Sequence, residues 1–120
     1  DSYVKYFLFG DSKAPIPSHI RIFNKVGEAY GYLIDDAYVV DFDAGVEFLL
    51  TAVIQVNADQ IYNDDAYEYE EVGRPFLARL GRAVYEHERQ RERPRRPDLS
   101  RFVSPSRRPS TRTPAASPSP

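Results

Sequence analysis

The sequence of 120 residues contains no cysteine and only two histidines, His19 and His87. The absence of cysteine excludes a disulfide framework and any metal site built on thiolates. The two histidines lie far apart in the chain, and no further ligand residue stands at metal-binding spacing beside either of them. The sequence therefore predicts no metal site and no cofactor.

Long apolar runs are absent as well. No stretch approaches the roughly 18 apolar residues that a membrane-spanning helix requires, so the sequence predicts no membrane span. The chain begins at Asp1, with neither a methionine nor a charged-then-apolar leader, a start typical of a processed or truncated protein. A mature chain would begin in the same way.

Charge and composition divide the chain into two parts. Residues 1–88 contain seven Lys and Arg against sixteen Asp and Glu, whereas residues 89–120 contain nine Arg against two acids, so a balance of −9 precedes one of +7. The second part is rich in Pro, Ser and Arg, and its few apolar residues cannot offset the entropy cost of ordering it. The sequence predicts a folded unit over residues 1–89 and a disordered tail over residues 90–120.

Alternation of apolar and polar residues with period two predicts three strands in succession. They cover residues 20–28, 36–42 and 46–57, and they are rich in the β-branched and aromatic residues that strands favour. The short turn Asp43-Ala44-Gly45 supplies a glycine for positive φ between the last two strands. This order predicts an antiparallel β-meander.

Helical spacing replaces the strand period further along the chain. Apolar residues recur on one stripe and predict a helix over residues 70–89 that packs on the sheet through Phe76, Leu77, Leu80 and Val84. Near the start, the aromatic-rich segment Ser2–Phe9 stops at Gly10 and fits either the last turns of a helix or a short strand, of which we favour the helix. Three strands followed by a C-terminal helix give an α+β fold.

One segment carries a resemblance. Residues 24–31 read NKVGEAYG and are followed by Asp35-Asp36 and AYVVDF, which resembles the Lys-Thr-Gly strand of the class A β-lactamases and other penicillin-recognising serine hydrolases. In those enzymes the strand borders the active-site cleft, the next strands form an antiparallel meander and a long C-terminal helix packs across the sheet. The resemblance implies that this chain is the C-terminal part of a β-lactamase/transpeptidase-like fold.

The resemblance implies site roles for four consecutive residues. Lys25 would attract a substrate carboxylate, and Gly27 would let substrate lie against the backbone. The backbone N–H of Glu28 would complete an oxyanion hole with the N–H of the catalytic serine. Val26 stands where the family carries Thr or Ser, so one hydroxyl donor to substrate is absent. The implied activity is acyl-enzyme hydrolysis of a peptide-like amide, β-lactam or ester.

The catalytic serine of that family is not found in this chain. Ser2-Tyr3-Val4-Lys5 spells Ser-x-x-Lys, but only about twenty residues separate it from Lys25, far fewer than in the family, so we interpret the match as coincidence. No Ser-Asp-Asn motif is present. The resemblance implies a missing N-terminal, helical half that supplies the nucleophile, a periplasmic or secreted location, and an inactive isolated chain.

Two other functions fit parts of the sequence. An acidic sheet that presents tyrosines to a protein partner would be a non-catalytic interaction module, and the candidate residues are Tyr30, Tyr32, Tyr38, Tyr62, Tyr67 and Tyr69. The arginine-rich tail has the charge to bind nucleic acid, but the acidic folded part would repel a polyanion. The sequence therefore predicts no nucleic-acid partner.

Overall fold

Three antiparallel strands of ten residues each form the sheet in the computed structural model, which describes residues 4–102. Strand β1 covers Ile20–Ala29, β2 covers Tyr32–Asp41 and β3 covers Val46–Gln55. Strand β2 lies in the centre and pairs with both neighbours. The predicted α+β fold with an antiparallel meander is confirmed.

Strand β2 begins at Tyr32 rather than at the predicted residue 36, because the turn before it is tight. Tyr30 and Gly31 form a two-residue connection with φ of 51° and 84°, and positive φ at both positions is the condition for a type I′ hairpin turn. Ala29 pairs with Tyr32 directly across this turn. The two acids at 35 and 36 weaken the strand signal in the sequence, since acids are depleted in strands.

The two faces of the sheet differ in what covers them. The helix face contains Leu33, Ala37 and Val39 of β2, which are 0–1% exposed. The open face contains alternate residues such as Phe23 and Tyr38. Because successive side chains of a strand point to opposite faces, the residues of β1 and β3 also lie alternately on the helix face and on the open face. The apolar core lies on the helix face.

Helix α2, Arg74–Gln90, packs on the helix face after a π-helical turn at Tyr69–Gly73. Leu77 is fully buried and joins the core, and Leu80 packs beside it. The predicted contact through Phe76 is wrong, because Phe76 is 46% exposed. The buried side of α2 is centred on Leu77, Ala78 and Gly81, and the residue before Leu77 is turned about 100° away from it.

The N-terminal segment fills the space between sheet and helix, and the predicted short helix over Ser2–Phe9 is present only in part among the residues that the structure describes. Only the four-residue segment α1, Tyr6–Phe9, is helical, and within it Phe7 has ψ of 140° and Leu8 has φ of 67°. Tertiary packing overrides the local preference here. A Cβ on Gly81 of α2 would lie 2.8 Å from the Cβ of Phe7, so glycine permits this close approach.

Residues 91–102 return to the sheet. Arg93 Nη1 donates to the carbonyl oxygen of Gly45 at 2.7 Å. On the open face the ring of Phe102, in a 3₁₀ turn at Ser100–Phe102, has its centroid 5.7 Å from that of Phe23 and 5.5 Å from that of Tyr38. The first part of the predicted tail thus contacts the folded unit. Predicted disorder over residues 103–120 lies outside the described residues.

A buried carboxylate at the end of β2 connects the β2–β3 turn to α2. Asp41 is 1% exposed and accepts hydrogen bonds from the N–H groups of Asp43 at 2.9 Å and Ala44 at 3.0 Å, and from the hydroxyl of Tyr85. Burial opposes ionisation of Asp41, but these hydrogen bonds outweigh it and lower its pKa. Burial and the bond to Asp41 raise the pKa of Tyr85 to about 12.

We predict that Tyr85→Phe lowers the free energy of unfolding at neutral pH by about 1.5–3 kcal/mol, because a hydrogen bond to a charged group is lost. The folded-state pKa of Asp41 lies below its ordinary value of 3.8, so this stabilisation is present above that value and is lost as the pH falls through the folded-state pKa. Urea unfolding at neutral and strongly acidic pH should show the two proteins converging in acid.

Tyr38→Phe is the matched control, because its hydroxyl also donates to a carboxylate, that of Glu47, but in an exposed pair. Its cost should stay within about 0.5–1 kcal/mol. Equal costs for the two variants would contradict the role assigned to Asp41.

Candidate functional site

Strand β1 has β2 on one side and, within the part of the chain that the structure describes, a free edge on the other. The N–H of Phe42 donates to the carbonyl oxygen of His19 at 2.9 Å, so the pair just before β1 is hydrogen-bonded. Such pairs alternate along an antiparallel ladder, which directs the backbone of Lys25 toward β2. The N–H and C=O groups of Val26 and Glu28 therefore point to the free edge.

The side chain of Lys25 reaches the same edge. It is exposed, and its Nζ donates to the carbonyl oxygen of Val26 at 2.7 Å. An ammonium group and the edge-directed N–H of Glu28 thus lie within a few residues of one another on one strand. Both are donors suited to a carboxylate or a polarised carbonyl oxygen.

The side chains of Val26 and Glu28 lie on the helix face and are engaged there. Val26 is partly buried against the core. The Glu28 carboxylate is 3.6 Å from Nη2 of Arg74, and the Arg74 guanidinium lies 5.3 Å from the ring centroid of Tyr6. Only the backbone groups of residues 26 and 28 therefore face the free edge, and a hydroxyl introduced at position 26 would face the core.

Gly27 has a packing role on the open face. It pairs with Ile34 across β1 and β2, and a Cβ at position 27 would lie 2.6 Å from Cγ2 of Ile34. That distance is too short for two carbon atoms, and Cγ2 of a β-branched side chain cannot swing away freely. Packing alone accounts for glycine at this position, independently of any substrate.

A partly buried polar cluster that sequence reasoning did not identify supports β1 from the helix face. The Asn24 amide donates to Asp35 Oδ1 at 2.9 Å and to the carbonyl oxygen of Val4 at 2.6 Å. Lys5 Nζ donates to Asn24 Oδ1 at 2.5 Å. The signal in the sequence is that Asn24 and Asp35 are polar, whereas the residues two positions before and after each of them in the strand are apolar.

Asp35 also holds the N-terminal segment in place through hydrogen bonds to its backbone. Its Oδ2 accepts the N–H groups of Tyr6 at 3.1 Å and Phe7 at 3.2 Å. The carboxylate is 0% exposed, and this burial raises its pKa despite the hydrogen bonds from Asn24 and the two backbone groups. Because it is sealed from solvent, Asp35 has a structural role and does not reach a substrate at the edge.

A concavity of about 650 Å³ opens at the other end of β1. Its lining includes Ile20, Arg21 and Ile22, with His19, Asp43 and Phe102. Ile20 and Glu28 are eight residues apart in the strand, a distance of about 26 Å. The concavity is therefore separate from the edge at Lys25 and Glu28.

The side chains and helices of residues 4–102 include neither a metal site nor a membrane-spanning segment. No group of His, Asp and Glu in this part of the chain is arranged to hold a metal ion. No helix in it has the length and apolar character needed to cross a membrane. The edge of β1 presents backbone N–H and C=O groups and one ammonium group.

No protein-family model, curated protein or solved structure matches the chain. The roles implied for Lys25, Val26, Gly27 and Glu28 remain predictions that depend on these residues and their surroundings.

We predict that Gly27→Ala destabilises the fold by about 1–3 kcal/mol through its contact with Ile34. Ile34→Ala removes that contact, so the double variant should lose less stability than the two single costs added together. A double-mutant cycle by urea unfolding should give an interaction energy of about 0.5–3 kcal/mol. Additive costs would show that the added methyl group does not meet Ile34, and would remove the packing explanation for glycine.

Proposed function

We propose that this chain is the C-terminal part of a penicillin-recognising serine hydrolase that cleaves a peptide-like amide, β-lactam or ester through an acyl-enzyme. The observation that carries the proposal is the free edge of β1, toward which the N–H of Glu28 points and over which the Lys25 ammonium lies. An oxyanion hole requires donors that are fixed before the reaction. A backbone N–H in a paired strand meets that requirement.

In this proposal the backbone N–H of Glu28 and the ammonium of Lys25 have different roles at the edge. The N–H of Glu28 stabilises the oxyanion that forms at the scissile carbonyl, and one such donor is worth about 2.7–4 kcal/mol in known acyl-transfer enzymes. Lys25 binds a substrate carboxylate. In the free chain its ammonium bonds to the carbonyl of Val26 at 2.7 Å, a neutral acceptor that a substrate anion would replace.

The remaining machinery is assigned to a complementing N-terminal, helical half. That half would supply the nucleophilic serine, its base and the second oxyanion donor, and it would form the far wall of the cleft. No metal or cofactor takes part, because acyl transfer through a serine needs only a nucleophile, a base and oxyanion donors. A periplasmic or secreted location follows from the same resemblance.

A non-catalytic interaction module is the second candidate. It is supported by three exposed tyrosines, since Tyr30, Tyr32 and Tyr62 are 57%, 46% and 51% exposed. Other tyrosines of the predicted set form hydrogen bonds within the chain. Tyr69 accepts a hydrogen bond from the N–H of Gly31 at 2.8 Å, and Tyr38 donates to Glu47. Substitution of Lys25 distinguishes the two functions.

The isolated chain should hydrolyse neither β-lactams nor simple esters above background, because oxyanion donors accelerate nothing without a nucleophile and its base. Mass spectrometry after incubation with a penicillin should show no covalent adduct. An adduct that disappears in Ser2→Ala would contradict this expectation and make the N-terminal Ser-x-x-Lys motif functional.

In the complete enzyme, Lys25→Ala should lower turnover of an anionic acyl substrate by at least about tenfold, or 1.4 kcal/mol. Thermal stability should change little, because the side chain is exposed. Lys13→Ala is the matched control: Lys13 is exposed and lies outside the sheet, so neither quantity should change. Unchanged kinetics for Lys25→Ala would end the hydrolase assignment of this edge and favour the interaction module.

A further inference from the structure

Strand β3 carries apolar side chains on its open face as well as on its helix face, although it lies at the edge of the described sheet. Leu49 and Val53 are 77% and 60% exposed on the open face, while Phe48, Leu50 and Ile54 pack partly against the core on the helix face. Strands with this pattern are usually covered on both sides. Exposed edges usually carry charges, proline or bulges that block pairing, but the ten residues of β3 contain one charge, Glu47, and no Pro or Gly.

The ladder between β2 and β3 shows which backbone groups β3 presents. The N–H of Val56 donates to the carbonyl oxygen of Gly31 at 2.6 Å, and this pair continues the β2–β3 register. Hydrogen-bonded pairs alternate, so the even-numbered residues of β3 bond to β2. The N–H and C=O groups that point to the free edge belong to Glu47, Leu49, Thr51, Val53 and Gln55.

We propose that this edge pairs with the same edge of a second copy of the chain, which joins the two sheets into one antiparallel sheet of six strands. The two-fold axis passes through Thr51, which faces Thr51 of the second copy. Leu49 then faces Val53 of the second copy, and Glu47 faces Gln55. A two-fold interface must be complementary to itself. The outward-facing residues of β3 meet this condition, because each of them faces a suitable residue of the second copy.

Charge and polarity select this register. Apolar residues face apolar ones, threonine faces threonine, and the single carboxylate faces an amide rather than its own copy, all of which are favourable cross-strand neighbours. A slip of two residues in one direction places Glu47 opposite Val53, and a slip in the other places Leu49 opposite Gln55. Both slips therefore place a polar side chain opposite an apolar one.

The dimer does not depend on the proposed hydrolase function. Strands β1 and β3 lie on opposite sides of β2, about 10 Å apart, so the edge at Lys25 stays accessible when β3 is paired. Activity and association are therefore separate measurements, and one proposal can fail while the other holds.

Sedimentation equilibrium of the chain over a wide concentration range tests association. We expect a monomer–dimer equilibrium, and amide exchange should slow with concentration for Leu49, Thr51 and Val53 but stay unchanged for residues that bond to β2. A monomer at every concentration would overturn the proposal. So would a dimer in which the amides of β3 exchange as fast as in the monomer.

Three variants test the register. Leu49→Lys should weaken the dimer at least about tenfold, because two apolar pairs are lost across the axis. Adding Val53→Glu to it should restore most of the affinity, since each lysine then faces a carboxylate. Gln55→Lys is the matched control with the same change in charge: it faces Glu47 of the second copy and should leave the affinity equal or higher. Equal weakening by Leu49→Lys and Gln55→Lys, or no rescue by Val53→Glu, would overturn this interface.

Discussion

The arrangement of this chain depends on the hydrogen bonds that the buried carboxylate of Asp35 accepts. Burial of an ionisable group without partners is costly, and here three donors, the N–H groups of Tyr6 and Phe7 and the Asn24 amide, offset that cost. Two of these donors belong to the N-terminal segment and one to β1. A single side chain on the central strand thus fixes α1 between sheet and helix, and fixes β1 beside it.

The two edges of the sheet differ in chemistry although both are strands of ten residues. Strand β1 carries an ammonium group, and the side chains of Val26 and Glu28 are drawn to the helix face, which leaves a backbone edge suited to a polar ligand. Strand β3 carries apolar side chains on both faces, which suits another strand. The same ladder alternation that points the N–H of Glu28 outward also points that of Thr51 outward.

Period and turn chemistry predicted the three strands and the helix from the sequence, and the errors have identifiable causes. The start of β2 was missed because tyrosine at the first position of a type I′ turn is a weak signal. The helix over Ser2–Phe9 gave way to hydrogen bonds with Asp35, a residue 28 positions away from Phe7. Lys25 and Glu28 were identified from a motif, but the direction of their backbone groups depends on the register with β2, which no local pattern contains.

In the part of the chain that the structure describes, the Lys25 ammonium bonds to a backbone carbonyl, and its neighbours leave its charge available. Of the seven bases in residues 1–88, Arg74 and Arg82 lie beside carboxylates. Lys5 donates a hydrogen bond to Asn24, and its positive charge favours the ionised form of Asp35. Arg74 lies beside Glu28. Asp36, the cross-strand neighbour of Lys25, accepts a hydrogen bond from Thr51 at 2.6 Å. The Lys25 ammonium bonds instead to a neutral carbonyl, and an exposed ammonium so placed attracts an anion to the free edge of β1.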